Sequence, residues 1–494
     1  MSIDETPNET SEESTRERRT STETKRFLKR RRFMATAGVA AGVALAGCSS
    51  DDGEADADEN GNGNGNGNGN DDGGNGNGDD EEELERGTRE YLEDAYPGLT
   101  VHSADPENGE AAERETYINY ITPAEEHFIR NRYLSPDIDE DDHEVELRLG
   151  DETVELSMEE IKHSYPTESV AHTMQCTGNG RSYFEPEVGG NPWEFGAVGN
   201  AIWTGTPVSE ILEEYGADTS DGMWLMAAGD DVPDEDDQVF ARSIPMQKVM
   251  EDCILAYQMN GHDLTIEHGH PVRLLVPGWY GCNNIKWLSE LEVMDMMMYG
   301  DEWERYYNWQ QNSYRMEVAG QDAEHHEEIE EFDTQEQMDL AAEGDHPLAY
   351  AYDQLVKSVI GYPGEDSSVS PRAADGRVEI VGVAWAGDDA IEQVEVSTDG
   401  GESWENAELF TPEMSGIDTR GSWQQFRFLW NPEEDGEYTI CSRAIDEQGR
   451  TQPRETAHQD DELETIEDDA FPWEAGGYAN NAYWPHRVEV DVDL

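Results

Sequence analysis

The 494-residue sequence is poor in positive charge. It contains 32 lysines and arginines against 113 aspartates and glutamates, a formal net charge of −81, and only six of the basic residues are lysines. Such an acid excess repels phosphate groups, which excludes nucleic acid as a natural partner and disfavours anionic membranes. The 13 tryptophans and 20 tyrosines oppose disorder of the whole chain. We interpret the acidity as adaptation of a folded protein to molar salt, where the Debye length is about 3 Å.

The sequence also lacks the segments that bind haem and those that cross membranes. It has no Cys-x-x-Cys-His and no His-Pro-Gly-Gly segment, so we predict no haem in this chain. The apolar stretch Ala35–Gly47 is too short to span a bilayer. The region 345–494 holds one cysteine, Cys441, which excludes a disulfide within that region.

Cys176 stands at the end of a β-compatible run and directly before a glycine-rich turn, in the segment HTMQCTGNGRSYFEP (His172–Pro186). Cysteine is commonly a small buried apolar residue. As a nucleophile it would need a base, and His172 is a poor one because four residues along a strand span about 13 Å. As a thiolate, Cys176 would suit a soft metal centre. These residues alone favour the first interpretation, a small buried residue, over a nucleophile or a metal ligand.

Two longer segments carry a family resemblance. MQCTGNGRSYFEP resembles the cysteine motif of the sulfite oxidase family, and HGHPVRLLVPGWYGCNNIKWLSELE (His268–Glu292) is similar to that family's pterin-binding segment. They occur in the family's order, and the likeness extends from about Tyr117 to the C-terminus. The resemblance implies an α+β protein, with a mixed α/β molybdopterin-binding domain followed by an immunoglobulin-like β-sandwich. It also implies a molybdenum-molybdopterin cofactor with Cys176 as the protein ligand to the metal.

The resemblance further implies which residues form the site. The positions that hold substrate or lie beside the metal are Arg130, Arg181, Trp193 and Tyr314. The cofactor-binding positions are Phe128, Ile129, Arg130, Asn131, Arg132, Asp230, His268, Arg273, Asn284, Ile285 and Lys286. Arg132 replaces a histidine of the family pattern. Asp230 begins an acidic loop, so a pterin contact and a solvated charge run both stay open there.

The same segments contain features that point away from a simple assignment. Without the downstream matches, residues 127–132 would be interpreted as a surface helix with scattered charge. A further substrate arginine of the animal family members would fall near Ala475 or Gly476, and its loss leaves the substrate open. Arg suits an oxyanion because its donors match two oxygens at once.

Other cysteines and histidines are predicted to be structural. Cys253 and Cys282 match no family ligand. His268 and His270 would form a metal pair on one face of a strand, but no third ligand is evident. His325–His326 lies in an acidic stretch and predicts an exposed insertion, because adjacent histidines do not share a helix face.

Composition divides the chain into four parts. Residues 1–48 resemble an export signal, because KRRRFM resembles a twin-arginine motif and Leu45–Cys48 a lipobox; the alternative is an amphipathic N-terminus. Residues 49–87 are acidic and rich in Gly and Asn, which predicts a disordered linker. Residues 88–344 are the predicted catalytic domain. Residues 345–494 are the predicted dimerisation domain, because hairpin signals, alternating aromatic residues and a tyrosine-corner segment at Asp435–Tyr438 favour an immunoglobulin-like sandwich.

The predicted function is oxo transfer by a haloarchaeal-type enzyme, most simply the oxidation of sulfite or a related small sulfur oxyanion. Electrons would pass to a separate carrier, a cytochrome or a small blue copper protein. The enzyme is expected to be a homodimer, exported by the twin-arginine route and attached only by a lipid on Cys48 to the outer face of the cytoplasmic membrane. The alternatives are a reductase of nitrate or a sulfoxide, a sulfane dehydrogenase-like subunit, and a non-catalytic lipoprotein binding module.

Overall fold

The structure, a computed structural model, describes residues 84–232, 237–298, 303, 305–307, 314–317, 348–371, 376–461 and 469–494. These residues all belong to one compact unit, Asp80–Leu494. The predicted signal (1–48), most of the predicted linker and His325–His326 lie outside the described residues.

The first part of the chain is built mainly from strands. They are β1 (Leu99–Ala104), β2 (Glu107–Ala111), β3 (Ile129–Arg130), β4 (Glu144–Leu149), β5 (Glu152–Ser157), β6 (Glu168–Gln175), β7 (Val198–Pro207), β8 (Trp224–Gly229), β9 (Val239–Pro245), β10 (Ile254–Met259), β11 (His262–Asp263), β12 (Arg273–Leu275), β13 (Leu288–Met294), β14 (Tyr306–Tyr307), β15 (Arg315–Glu317) and β16 (Leu348–Tyr350). Arg130 thus lies in a short strand, not in a surface helix.

Helices are few and short in the described part of the chain. They are α1 (Arg89–Ala95), α2 (Met158–His163), α3 (Val208–Glu214) and α4 (Met246–Asp252), each of six or seven residues. Most neighbouring strands pair antiparallel, and such strands need no crossover helix between them. The predicted α+β class is confirmed, with strands as the dominant component.

Two sheets position the site. One has the order β11-β10-β7-β6, with β12 also paired to β10, and the other has the order β14-β9-β8-β13-β4-β5. Apolar side chains from both sheets and from α2, α3 and α4 form one core, including Leu147, Ile161, Ile211, Val249 and Leu255. The first sheet also contributes to a second apolar cluster, against which Cys176 packs; its members include Met174, Trp193, Ala201, Trp203 and Ala256.

The second part is a β-sandwich. Its strands are β17 (Lys357–Tyr362), β18 (Ser367–Val369), β19 (Val378–Trp385), β20 (Ile391–Ser397), β21 (Glu405–Asn406), β22 (Glu408–Phe410), β23 (Gln424–Trp430), β24 (Gly436–Asp446), β25 (Glu455–Thr456), β26 (Ala470–Phe471) and β27 (Val488–Val492). Two sheets, β17-β19-β23-β22 and β18-β27-β24-β20-β21, share an apolar core. The Tyr438 hydroxyl donates to the Glu434 carbonyl at 3.0 Å, which confirms the predicted tyrosine corner.

The sandwich part covers the free edge of β6. The Ala171 N–H donates to the Asp418 carbonyl at 2.7 Å, and the Thr173 N–H donates to the Gly421 carbonyl at 2.8 Å. An uncovered edge strand presents unpaired backbone groups, and these bonds satisfy them. The strand that leads to Cys176 is therefore held from both sides. Among the described residues, no helix has both the length and the apolar character needed to cross a membrane.

Candidate active site

Cys176 is the first residue after β6, where the predicted strand gives way to the predicted turn. Its N–H donates to the Ala197 carbonyl at 2.9 Å, and the Asn179 N–H donates back to the Cys176 carbonyl at 3.0 Å. Gly180 closes the turn with φ of 94°, a conformation that favours glycine. Burial raises the pKa of the Cys176 thiol, although the nearby guanidinium groups of Arg181 and Arg130 oppose this.

Cys176 lies between two neighbouring cavities. The first, here called the deep cavity, is the more enclosed of the two. The second, here called the outer cleft, is more open. Both are lined by Cys176 and by Arg130, Asn131, Arg132 and Tyr314.

Two cations face the deep cavity, one buried and one half-buried. Arg273 is 3% exposed and donates to the His268 carbonyl at 2.9 Å, while its Nε has no hydrogen-bond partner among the described residues. Burial lowers the pKa of Arg273 to about 9. The Lys286 ammonium donates to the Glu267 carbonyl at 2.7 Å, and burial together with the charge of Arg273 lowers its pKa to about 7. A buried positive charge of this kind is favoured by a bound anion.

Glu267 lines the same cavity as both cations, but its carboxylate is hydrogen-bonded to two tyrosines. Its carboxylate accepts hydrogen bonds from the hydroxyls of Tyr91 at 2.7 Å and Tyr96 at 2.5 Å. Its charge raises the pKa of Lys286, but burial and Arg273 outweigh it. The deep cavity is therefore suited to a ligand that brings its own negative charge.

Two neutral histidines form another wall of the deep cavity. The rings of His127 and His268 meet edge to face with centroids 5.3 Å apart. Burial lowers the pKa of His127 to about 4 and that of His268 well below its ordinary value. The His127 ring lies so close to β7 that a Cβ on Gly199 would be 2.6 Å from it. His127 Nε2 is buried against Gly199 of β7 and has no side-chain hydrogen-bond partner among the described residues.

The predicted cofactor-binding residues separate into two groups. Those that line the deep cavity are Phe128, Arg130, Asn131, Arg132, His268, Arg273, Asn284 and Lys286. Ile129 and Ile285 do not line it, because their side chains pack into apolar clusters behind the site. The Asn284 side chain accepts from the Val276 N–H at 2.7 Å and donates to the Tyr280 carbonyl at 3.1 Å, so it stabilises the loop.

Of the two neighbouring aspartates, Asp231 and not the predicted Asp230 lines the deep cavity. Asp230 is exposed and does not line the deep cavity; its backbone N–H donates to the Trp287 carbonyl at 2.8 Å. Asp231 is 7% exposed, lines the cavity and has one carboxylate oxygen without a partner among the described residues. Successive side chains after a strand point in opposite directions, which explains why Asp231 faces the cavity while Asp230 is exposed. Burial raises the pKa of Asp231, with Lys286 and Arg132 opposing.

The outer cleft contains the predicted substrate residues Arg130, Arg181, Trp193 and Tyr314. Arg181 donates from Nε to the Gly476 carbonyl and from Nη1 to the Asn191 carbonyl, both at 3.2 Å. A Cβ on Gly178 or Gly190 would lie within 2.6 Å of its guanidinium, so these glycines make room for it. The Arg181 side chain is therefore fixed by backbone groups on several sides.

An aromatic pair lies beside Gly476, the position near which the resemblance implies a further substrate arginine. A Cβ on Gly476 would be 2.2 Å from the Tyr478 ring, and that ring stacks on Tyr314 with centroids 4.8 Å apart. The cations that line the outer cleft are Arg130, Arg132 and Arg181.

Sequence reasoning missed several residues that line the deep cavity, among them His127, Met174, Asp231, Glu267 and Cys282. Cys282 was predicted to be a structural thiol, yet it shares the cavity with Cys176. Its position in the pterin-segment match, directly after Gly281, was the available signal. Cys253 is buried in the core, consistent with a structural role.

A shared histidine metal site finds no support in the described residues. His268 ends a single 3-10 turn, Ile266–His268, and not a strand, and it bonds Thr265 Oγ1 at 2.8 Å. No group of three or more His, Cys, Asp or Glu side chains within these residues could hold a metal ion.

The donor set fits a molybdenum-pterin group. Such a cofactor carries a phosphate, which suits Arg273 and Lys286. Its polar ring edges suit His127 Nε2 and Asp231, and a soft thiolate suits molybdenum. The fit rests on buried polar atoms that have no hydrogen-bond partner in the described part of the chain, and on the cavity between them.

Comparison with known proteins agrees with this geometry. Residues 133–301 match the oxidoreductase molybdopterin binding domain family, and residues 349–492 match the Mo-co oxidoreductase dimerisation domain family. The mitochondrial sulfite oxidase of Rattus norvegicus is 30% identical over 411 residues, 80% of this chain and 66% of that protein. The chain therefore spans about two thirds of the length of this relative. Sulfite oxidase of Arabidopsis thaliana is 27% identical over 427 residues, 82% of this chain and 97% of that protein.

A solved structure shares the fold. The sulfane dehydrogenase SoxCD from Paracoccus pantotrophus has a TM-score of 0.58 and 23% identity, covering 82% of this chain and 92% of its own. Fold and site together define a molybdopterin-dependent oxidoreductase with a dimerisation domain. Within that class, the chain belongs to the sulfite oxidase family.

Proposed function

We propose that this protein oxidises sulfite or a related sulfur oxyanion and passes the electrons to a separate carrier. The observation that carries the proposal is the position of Cys176, which lines both a deep cavity that contains cations and an outer cleft with accessible arginines. Oxidation of sulfite to sulfate takes one oxygen from water and releases two protons and two electrons. When bound, the molybdenum cofactor supplies oxygen-atom transfer coupled to this two-electron change.

The residues of the chain divide the remaining work. Arg273 and Lys286 hold the cofactor's negative charge, and His127 and Asp231 bind its polar edges. Cys176 binds the metal through its thiolate; a bound metal cation favours the deprotonated form that burial alone disfavours. Arg130 and Arg181 orient the anionic substrate, because a guanidinium matches two oxygens at once. Trp193 and Tyr314 form walls of the outer cleft and limit water around the substrate.

The opposite direction of oxygen transfer is the second candidate. Gly476 stands near the position where the resemblance implies a further arginine in the animal enzymes, so one substrate contact of that pattern is missing, while Arg130, Arg132 and Arg181 line the cleft. The loss of that contact leaves room for a different substrate such as nitrate or a sulfoxide. A nitrate reductase of Arabidopsis thaliana is among the relatives, 27% identical over 422 residues.

One experiment separates the two directions. The purified holoenzyme is mixed anaerobically with sulfite, and separately its reduced form is mixed with nitrate or dimethyl sulfoxide, while the metal's absorption is followed. Rapid reduction by sulfite with slow reoxidation supports the first candidate. The reverse pattern supports the second, and no response to any of them contradicts both.

The cellular setting belongs to the same proposal. The chain is exported folded by the twin-arginine route and is held on the outer face of the cytoplasmic membrane by a lipid on Cys48, as the Leu45–Cys48 lipobox indicates. Replacing Cys48 with alanine should move the enzyme from the membrane to the soluble fraction without loss of specific activity. Equal membrane retention of both forms would exclude the lipid anchor.

Salt and assembly give two further tests. A net charge of −81 indicates a haloarchaeal, salt-adapted protein, and activity should weaken below roughly 0.1 M salt, where the Debye length reaches about 10 Å. Full activity in dilute buffer would contradict that origin.

Residues 349–492 match a dimerisation domain, so sedimentation at high salt should give twice the mass of one chain. The electron carrier is a cytochrome or a small blue copper protein, identified by which of them the sulfite-reduced enzyme reduces.

A further inference from the structure

The turn that carries Cys176 is held by the second domain. We call Cys176–Gly180 the cysteine loop. The Ala479 N–H donates to the Thr177 carbonyl at 2.7 Å. The Asn480 side chain donates from Nδ2 to the Gly180 carbonyl at 3.0 Å. Ala479 and Asn480 have no solvent exposure, so these bonds are shielded from water.

A buried lysine joins the loop to the same segment. Lys357, the first residue of β17, donates from Nζ to the Asn480 carbonyl at 2.8 Å and to the Asn179 carbonyl at 3.4 Å. It has no solvent exposure, and within the described residues no carboxylate pairs with it. A buried ammonium bonded only to carbonyls is unfavourable relative to an apolar side chain, so its presence indicates a positional role. Burial lowers the pKa of Lys357 to about 7, which agrees with an unfavourable environment for the ammonium.

The backbone of the second segment is strained at the point of contact. Ala479 has φ of 56°, in the left-handed region that a residue with a Cβ seldom adopts. Such strain persists only where surrounding contacts determine it, and it clusters at functional sites. Here the conformation directs the Ala479 N–H at Thr177 and precedes the Asn480 contacts. Three residues earlier, the Gly476 carbonyl accepts from Arg181.

We propose that Lys357 and Asn480 are positioning residues of the active site. They fix the carbonyls of Asn179 and Gly180, and thereby hold Cys176 towards the deep cavity and Arg181 in the outer cleft. The second domain thus completes the active site of its own chain, in addition to any part in dimerisation. The inference rests on the proposed function for its activity measurement only; its structural measurement is independent.

The chain offers matched controls for both residues. Asn481 is also buried, but its Nδ2 donates to the Val356 carbonyl at 3.1 Å and not to the cysteine loop. Lys248 is also a buried lysine between the two domains, bonded to Asp388 at 2.9 Å and Asp252 at 3.2 Å. Asn480→Ala is therefore compared with Asn481→Ala, and Lys357→Met with Lys248→Met.

The first measurement uses cofactor-free protein. Each variant is treated with iodoacetamide, and labelling of Cys176 is quantified by peptide mass spectrometry. Loss of a buried hydrogen bond should loosen the loop and speed labelling of Cys176 by about fivefold or more in Asn480→Ala and Lys357→Met. The two control variants should label at the rate of the parent protein.

The second measurement uses holoenzyme. Because both Cys176 and Arg181 shift, kcat should fall and KM for the anion should rise, with kcat/KM lowered by about 10- to 100-fold. The sulfur-to-metal absorption band should shift in the same two variants. The controls should keep the band and both kinetic constants.

The outcomes separate cleanly. Equal labelling rates and spectra within each pair would overturn the proposal. If Lys357→Met does not fold, the asparagine pair alone decides. If labelling separates as expected while the parent holoenzyme reacts with neither sulfite nor nitrate, the positioning role stands and the proposed function fails.

Discussion

The deep cavity and the outer cleft both contain cationic side chains, but they are built differently. In the deep cavity Arg273 is buried and Lys286 is half-buried, and loss of water contact lowers the pKa of each. Arg130 and Arg181 in the outer cleft remain half-buried and in reach of solvent. The first arrangement suits an anion that binds once and stays, because it relieves a standing electrostatic penalty. The second suits an anion that exchanges in every turnover.

The largest effect is expected at the residue that both regions share. Cys176→Ser replaces a soft thiolate with a hard, protonated hydroxyl, so turnover should fall by roughly three orders of magnitude or more. Stability should change by only about 1 kcal/mol. Cofactor content should persist, because Arg273 and Lys286 hold the phosphate. Turnover and the sulfur-to-metal absorption band are the measurements.

Cys253→Ser is the matched control for that variant, because Cys253 is buried in the core away from both cavities. It should leave turnover within a few-fold of the parent. Cys282 is unsuitable as a control, because it lines the deep cavity. A Cys176→Ser enzyme with unchanged turnover and spectrum would remove this residue from the metal.

The outer cleft is tested by Arg181→Met. Hydrogen bonds from a charged donor contribute about 1.5–3 kcal/mol, so KM for sulfite should rise by about 10- to 150-fold. Molybdenum and pterin content should stay at the parent value, since Arg181 does not line the deep cavity. Arg427→Met, at an exposed surface pair with Glu408, is the control. A loss of cofactor in Arg181→Met would contradict the assignment of cofactor binding to the deep cavity and substrate binding to the outer cleft.

The deep cavity is tested by Lys286→Met, which should show the reverse pattern. Pterin content per chain should fall by about tenfold at limiting cofactor, because one phosphate contact is lost. Turnover per bound molybdenum and KM should stay close to the parent values. Lys162→Met removes a lysine paired with Glu140 outside both cavities and should change none of these quantities. Raised KM with full cofactor content would contradict the assignment.

The smallest effect concerns pH and the cofactor-free protein. The pKa of Lys286 is lowered from 10.5 to about 7, so between these values the unfolded chain binds more protons at this residue. Lys286 therefore makes the free energy of unfolding rise with pH across this window, and its destabilising charge is fully present below pH 7. Lys286→Met should be stabilised relative to the parent at pH 7, and the difference should shrink by pH 9.5. Urea unfolding at both pH values measures it; a constant difference would contradict the buried charge.

Sequence patterns predicted the parts of the site that are local. Cys176 and its glycine turn, Arg130, Arg273 and Lys286 lie in short motifs whose chemistry is visible in one stretch of chain. Ile129 and Ile285 were assigned with their motifs, but their side chains pack into apolar clusters behind the site. For Ile129 the reason is that successive residues of a strand face opposite ways.

The remainder depends on register and on distant contacts. Asp230 and Asp231 are chemically identical neighbours at a strand end, so only the structure distinguishes the one that faces the cavity. Lys357 and Asn480 have no motif of their own, because their function depends on carbonyl groups 178 and 300 residues away. Backbone acceptors carry no side-chain signal, and such positions cannot be predicted from sequence patterns.

The hydrogen bond between Asn480 and Gly180 joins residues that are synthesised at very different times. The two residues are 300 positions apart, and at about 5–20 residues per second a ribosome needs roughly 15–60 s to go from one to the other. Throughout that interval the cysteine loop lacks its hydrogen bonds to Ala479 and Asn480. The hydrogen bonds that Ala479 and Asn480 make to the loop can therefore form only late in translation.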